Sequence, residues 1–267
     1  MKRLVIAMMT AGAVYALTWS APASITVRAQ AGPATATKTT AGGAVPRMAD
    51  GHPDLSGVWW GGGDVGAASG RGPVGRGARG GPPPQTFQSL YTPEAAQKAK
   101  TLGDKDDPTL RCTPTAFGTL NVSLWDVGAV GQIVATPKMV VMLTETYHGF
   151  RLVPTDGRPH RDDVAPSYRG DSVGRWDGDT FVVDTTNFRD GGWLDVNGSP
   201  MTEAGRMTER FRRPNYGTLT IDITVDDPKA YTRPWSVSLT QRLMVDSEML
   251  EFICLENEQS SKHYVAI

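Results

Sequence analysis

Two cysteines and four histidines are few for 267 residues, and neither sign of charge is in excess: 27 lysines and arginines stand against 28 aspartates and glutamates. With no CxxC and no closely spaced Cys/His set, zinc-finger and related structural metal classes are excluded. Without a basic surplus, the electrostatic footprint of a nucleic-acid binder is missing. Beyond residue 19 no apolar run approaches the ~20 residues that a membrane-spanning helix requires.

What is present begins with a targeting segment. Met1, Lys2 and Arg3 make a basic start, Leu4 to Trp19 is apolar apart from Thr10 and Thr18, and small residues follow in A-x-A order at Ala21-Pro22-Ala23 and Ala29-Gln30-Ala31. This pattern reads as a signal peptide over 1–31, cleaved after Ala31, and places the mature protein in the periplasm or outside the cell without a stable membrane span. Its removal leaves 24 basic against 28 acidic residues, a net charge of −4. Cys112 and Cys254 then form an even pair in an oxidising compartment. One disulfide closing a long loop is expected, worth roughly 4–5 kcal/mol on the chain-entropy model.

Residues 32–46 are Ala, Gly, Thr and Pro with Lys38 and Val45, a composition expected to form a disordered tether. A single β-rich domain is expected over 47–267. It starts with the short strand Leu55 to Trp60, which is followed by a flexible Gly/Pro/Arg loop at 61–86 holding ten glycines with Arg71, Arg76 and Arg79. Tyr91 to Leu102 carries helix signals, with Thr92 as N-cap and Pro93 at the first helical position. After residue 130 the chain is strands and turns. Gln132–Ala135, Met139–Val153, Arg175–Phe188, Met207–Arg213, Thr218–Asp226, Trp235–Val245 and Met249–Glu256 are rich in β-branched and aromatic residues, and Gly, Pro, Asn and Asp clusters separate them. The expectation is an all-β fold with one short N-terminal helix, an antiparallel meander closing into a barrel or a strongly bent sheet.

Three strings carry a resemblance: Pro53-Asp54-Leu55-Ser56-Gly57-Val58-Trp59, then Asp156-Gly157-Arg158-Pro159-His160, then the run from Tyr168-Arg169-Gly170-Asp171-Ser172 through Arg175-Trp176-Asp177-Gly178-Asp179 to Val183-Asp184-Thr185. Together they resemble a family of uncharacterised exported bacterial proteins, a likeness that spans the mature chain and implies no activity. Gly57-Val58-Trp59 is also similar to the first strand of lipocalin-like calycins, which implies a barrel.

Two motifs mislead. Gly61 to Gly66 satisfies G-x-G-x-x-G, but no helix starts after it to face a phosphate. Gly170-Asp171-Ser172-Val173-Gly174 satisfies the nucleophile-elbow pattern, but a hairpin follows Ser172 where that mechanism needs a helix, and Ser172 reads as a turn residue.

More informative is the segment around Glu145. Read as one strand, it puts Val141, Leu143, Glu145, Tyr147 and Arg151 on one face and His148 on the other. Glu145 would serve as a base, with Arg151 holding an anionic or carbonyl group. Tyr147, His148, His160 and Asp184 complete the candidate catalytic set, and Arg210 is a second substrate-binding candidate facing the barrel lumen. The bland alternative is a solvated face with a Glu-to-Arg pair. No cofactor is called for; a zinc or copper ion would need His52, His148 and His160 to converge, which spacing alone does not bring about.

Two function classes follow. One is an exported small-molecule enzyme, a hydrolase or lyase acting through carboxylate, histidine and arginine groups in a barrel pocket. The other is a non-catalytic small-ligand-binding or envelope protein on the same scaffold. Titratable groups converging in one concave site favour the first; an apolar cavity favours the second.

Overall fold

Strict alternation decides the longest strands. In Thr218–Asp226 the side chains of Leu219, Ile221, Ile223 and Val225 are buried, while Thr218, Thr220, Asp222 and Thr224 are not. That period-2 pattern fits a strand with one face on a core and one toward water. The same rule gives the neighbouring Arg206–Asn215 its buried Met207, Glu209, Phe211 and Arg213.

The computed structural model describes residues 43–61, 87–113, 130–145, 149–194, 198–251 and 253. In chain order the strands are β1 (Gly57–Trp60), β2 (Gly131–Thr136), β3 (Met139–Thr144), β4 (Gly149–Pro154), β5 (Asp171–Asp177), β6 (Thr180–Thr186), β7 (Gly192–Trp193), β8 (Pro200–Met201), β9 (Arg206–Asn215), β10 (Thr218–Asp226) and β11 (Trp235–Leu243). One α-helix, α1 (Pro93–Ala99), lies among them. Thr92 caps it, its side chain accepting from the Ala95 amide at 3.2 Å, and Pro93 opens it.

Nine strands make one sheet in the order β4-β3-β2-β1-β11-β10-β9-β6-β5, and β7 and β8 form a separate ribbon. The chain is thus an antiparallel meander, curled until its two edges meet as a nearly closed barrel. Every hydrogen-bonded neighbour is antiparallel. An odd number of strands cannot close that way: after eight reversals the edge strands β4 and β5 run in the same direction. Consequently the ladder stops at a β4/β5 seam, and residues 155–170 must travel back along the barrel to join two parallel-running strands.

At the seam the edges still touch. A Cβ on Gly174 would lie 2.8 Å from Val153 Cγ1 and 2.6 Å from the Phe181 ring, so only glycine lets β5 approach β4 there. Inside the barrel Leu55, Trp59, Ile133, Val140, Met142, Val153, Phe181, Val183 and Phe211 are fully buried, and the interior is packed core. One end is plugged by aromatics, with Phe87 stacked on Trp235 at 3.9 Å and Tyr231 edge-on to it at 5.4 Å. At the other end Arg213 donates to the Asp54, Ser56 and Tyr216 carbonyls, and its guanidinium stands 5.0 Å from the Trp59 ring.

Several sequence expectations change. Met139–Val153 is a hairpin: β3 ends at Thr144, which pairs with Gly149 at the start of β4. Alternation counted across residues 145–148 as one strand therefore assigns the wrong face to Arg151. Met249–Glu256 supplies no strand among its described residues, and the preceding β11 is already paired on both edges, with β10 and β1. Ser172 is a strand residue rather than a turn residue. The domain also reaches back into the expected tether, where the Gly43 carbonyl accepts from the Tyr216 amide at 2.9 Å. Residues 62–86, including Arg71, Arg76 and Arg79, lie outside the described residues, as do 1–42 and Cys254.

Candidate functional site

The seam gathers most of the buried polar chemistry. Arg151 stands on β4 opposite Met142, with its side chain inside the barrel and only 6% of the residue exposed. Its Nη2 donates to Glu209 Oε2 at 2.7 Å, Thr185 Oγ1 at 2.9 Å and Ser172 Oγ at 3.0 Å. These acceptors come from β9, β6 and β5, so one guanidinium ties the β4 edge to three strands across the gap. Glu209 is fully buried and Ser172 nearly so. Ser172 Oγ bonds Thr185 and Arg151, and among the described residues no histidine is hydrogen-bonded to it as the base of a serine nucleophile would be.

On the outer face of the same strands a second cluster forms. Asp171 and Asp184 point outward because their neighbours Ser172 and Thr185 point in. His160, on the 155–170 connection, sits between them, Nδ1 3.2 Å from Asp171 Oδ2 and Nε2 2.9 Å from Asp184 Oδ2. A neutral imidazole donates through one nitrogen only, so both bonds are donated together only by a ring carrying two protons. Arg161 holds Asp171 at 2.7 Å, and Arg206 grips Asp184 with two bonds of 2.7 and 2.6 Å. Burial pushes both carboxyls up, but the arginine and histidine partners outweigh it, leaving both below the usual carboxylate range.

A third feature is a cleft of about 370 Å³ between α1 and the β7–β8 ribbon. Ala95, Ala99, Leu102, Trp193 and Met201 form apolar walls, and charged residues including Lys98 and Asp190 complete the lining. Gly191, with a left-handed φ of 84°, makes the turn that leads into the ribbon and is itself part of the lining.

The sequence-derived site residues therefore separate. His160 and Asp184 do meet, but on the outer surface rather than in a lumen. Arg151 lies within the barrel, on the other side of the sheet. Arg210 also points outward and pairs with Asp177 at 2.8 Å. Glu145 is a turn residue whose Oε1 accepts from the Leu250 amide at 2.7 Å, away from Arg151. Tyr147 and His148 lie outside the described residues. Among the described residues no group of three or more His, Cys, Asp and Glu is placed to hold a metal ion, and no helix is long and apolar enough to cross a membrane.

Sequence reasoning missed Glu209, Arg169 and the cleft. Glu209 was detectable: in Arg206–Arg213 it occupies the inward phase shared by Met207 and Phe211. The cleft left no pattern, because its walls come from segments about a hundred residues apart. Comparison with known proteins found no matching family model, no similar curated protein and no similar solved structure.

Proposed function

We propose that the protein is a non-catalytic small-ligand-binding barrel of an exported compartment, with the α1/ribbon cleft as its ligand site. One observation carries the reading: the surface of this concave space is mostly apolar, whereas Arg151 and Glu209, and His160, Asp171 and Asp184, are already engaged by one another at the seam. A cleft of that kind takes a small molecule with an apolar body and one polar end.

Titration with 1-anilinonaphthalene-8-sulfonate, an aromatic body bearing one anion, is expected to give saturable one-to-one fluorescence enhancement. Ala99→Phe, which fills the cleft from the half-exposed side of α1, should weaken it at least about tenfold, by analogy with a blocked hydrophobic anchor worth ~1.4 kcal/mol or more. An unchanged titration in Ala99→Phe places binding elsewhere.

A second reading keeps the hydrolase or lyase class, with His160 and Asp184 as the acid/base pair. Their direct contact supports it. Arg161 and Arg206 oppose it by occupying the carboxylates that would have to exchange protons. His160→Ala should leave the fluorophore titration unchanged; a loss of binding in that variant favours the catalytic seam.

Export and the Cys112–Cys254 bond belong to the same proposal. Cys112 follows the turn Pro108–Arg111 with a left-handed φ of 56°. Intact mass of protein recovered from the periplasm or medium is expected to begin at Gly32 and to be lighter by two thiol hydrogens. Retention of Met1 to Trp19, or alkylation of two thiols in unfolded, unreduced protein, overturns the respective part.

A further inference from the structure

Among the described residues of the seam, Arg169 is a partly buried cation whose inner guanidinium nitrogen the barrel does not use. Its side chain runs from the end of the 155–170 connection to the start of β4. There the guanidinium and Thr144 Oγ1 fill the space a Gly149 side chain would occupy, the hydroxyl 2.8 Å from that Cβ position. Arg169 Nη2 is buried and meets no hydrogen-bond acceptor. Burial and then the like charge of Arg151 push its pKa down to about 10, and no carboxylate offsets them. It remains a cation at neutral pH all the same. Glu209, the buried carboxylate nearby, is committed to Arg151 at 2.7 Å. Among the described residues, two guanidiniums thus stand in the inner seam with one carboxylate, which Arg151 takes, and the charge of Arg169 has no paired anion.

We propose that Arg169 anchors a small monoanion, a carboxylate, at the mouth of the β4/β5 seam. Three features converge on that ligand. A partly buried charge is costly while unpaired, so an arriving anion gains from pairing with it. The excess is a single charge, which a monocarboxylate neutralises and a phosphate dianion overshoots. A planar guanidinium edge matches a carboxylate in two parallel bonds, and the Thr144 hydroxyl stands beside it. The glycine at 149 is what lets the guanidinium lie against the β4 backbone. This site is separate from the α1/ribbon cleft and does not depend on it.

The test is a titration of the full mature protein with sodium acetate at constant ionic strength, against chloride and inorganic phosphate. It is read by thermal melting and by the arginine Nε–H resonances in ¹H–¹⁵N spectra. Acetate is expected to raise the melting temperature saturably and to shift one arginine Nε–H signal that is missing from Arg169→Met. Gly149→Ala, which displaces the guanidinium while keeping it, should weaken the acetate response at least about tenfold, as expected where a bidentate pair is lost. Chloride and phosphate should give only responses that are the same in wild type and Arg169→Met. The proposal is overturned by a non-saturable acetate response, by an equal response in Arg169→Met, or by a phosphate response stronger than acetate. If Arg169→Met fails to fold, the wild-type spectra with Gly149→Ala decide the question. Failure here leaves the Ala99→Phe result for the cleft untouched.

Discussion

Replacing Glu209 with alanine is expected to lower unfolding stability by about 3–5 kcal/mol, the usual effect of stranding one partner of a buried ion pair. The loss falls on Arg151. Its guanidinium is held inside the barrel by the β4 backbone, where little water reaches it, and its Nη2 would keep the Ser172 and Thr185 hydroxyls in place of a carboxylate. The double variant Arg151→Met/Glu209→Leu should recover most of that loss, because two apolar side chains of similar volume remove both charges. Urea denaturation of the three proteins measures the effect. A loss under about 1 kcal/mol for Glu209→Ala would mean that water reaches the pair and that the seam opens in solution. A double variant as unstable as the single would instead show that the charges themselves hold β4 to β5.

Trp59→Ala is the second large effect, expected to cost about 3–5 kcal/mol from the cavity left by a fully buried indole. Trp59 does three things at once. It fills the barrel centre, its Nε1 donates to the Leu55 carbonyl at 3.0 Å, and it presents a ring face to Arg213. Trp59→Phe keeps a ring and loses the hydrogen bond and some volume, so it should fall between wild type and alanine. Arg213→Lys should also destabilise, since an ammonium cannot donate in the plane of a stacked fork to three separate carbonyls. Thermal or chemical unfolding monitored by near-UV circular dichroism separates these variants. Equal stability of Trp59→Ala and wild type would show that the β1 end of the barrel contributes little to the folded state.

Local information went far with the fold. Alternating Leu219, Ile221, Ile223 and Val225, the Asp177-Gly178-Asp179 turn and the Thr92-Pro93 helix start each act over a few residues. Each could be read from the chain because side-chain period and turn chemistry are properties of neighbours. The meander followed from short connections, since strands joined by tight turns pair with each other.

Tertiary structure decided the rest. Glu145 and Arg151 look like partners only while residues 145–148 are counted as strand; the reversal there sends one to a surface turn and the other into the core. His160 and Asp184 are 24 positions apart and meet because an odd number of strands forces a long return across β5 and β6. Asp184 faces outward through the phase of Phe181 and Val183, which the core fixed after the barrel curled. Arg169 and Gly149 come together only at the β4/β5 seam, and no sequence period encodes a seam: it exists because the two edge strands run in the same direction and cannot form an antiparallel ladder.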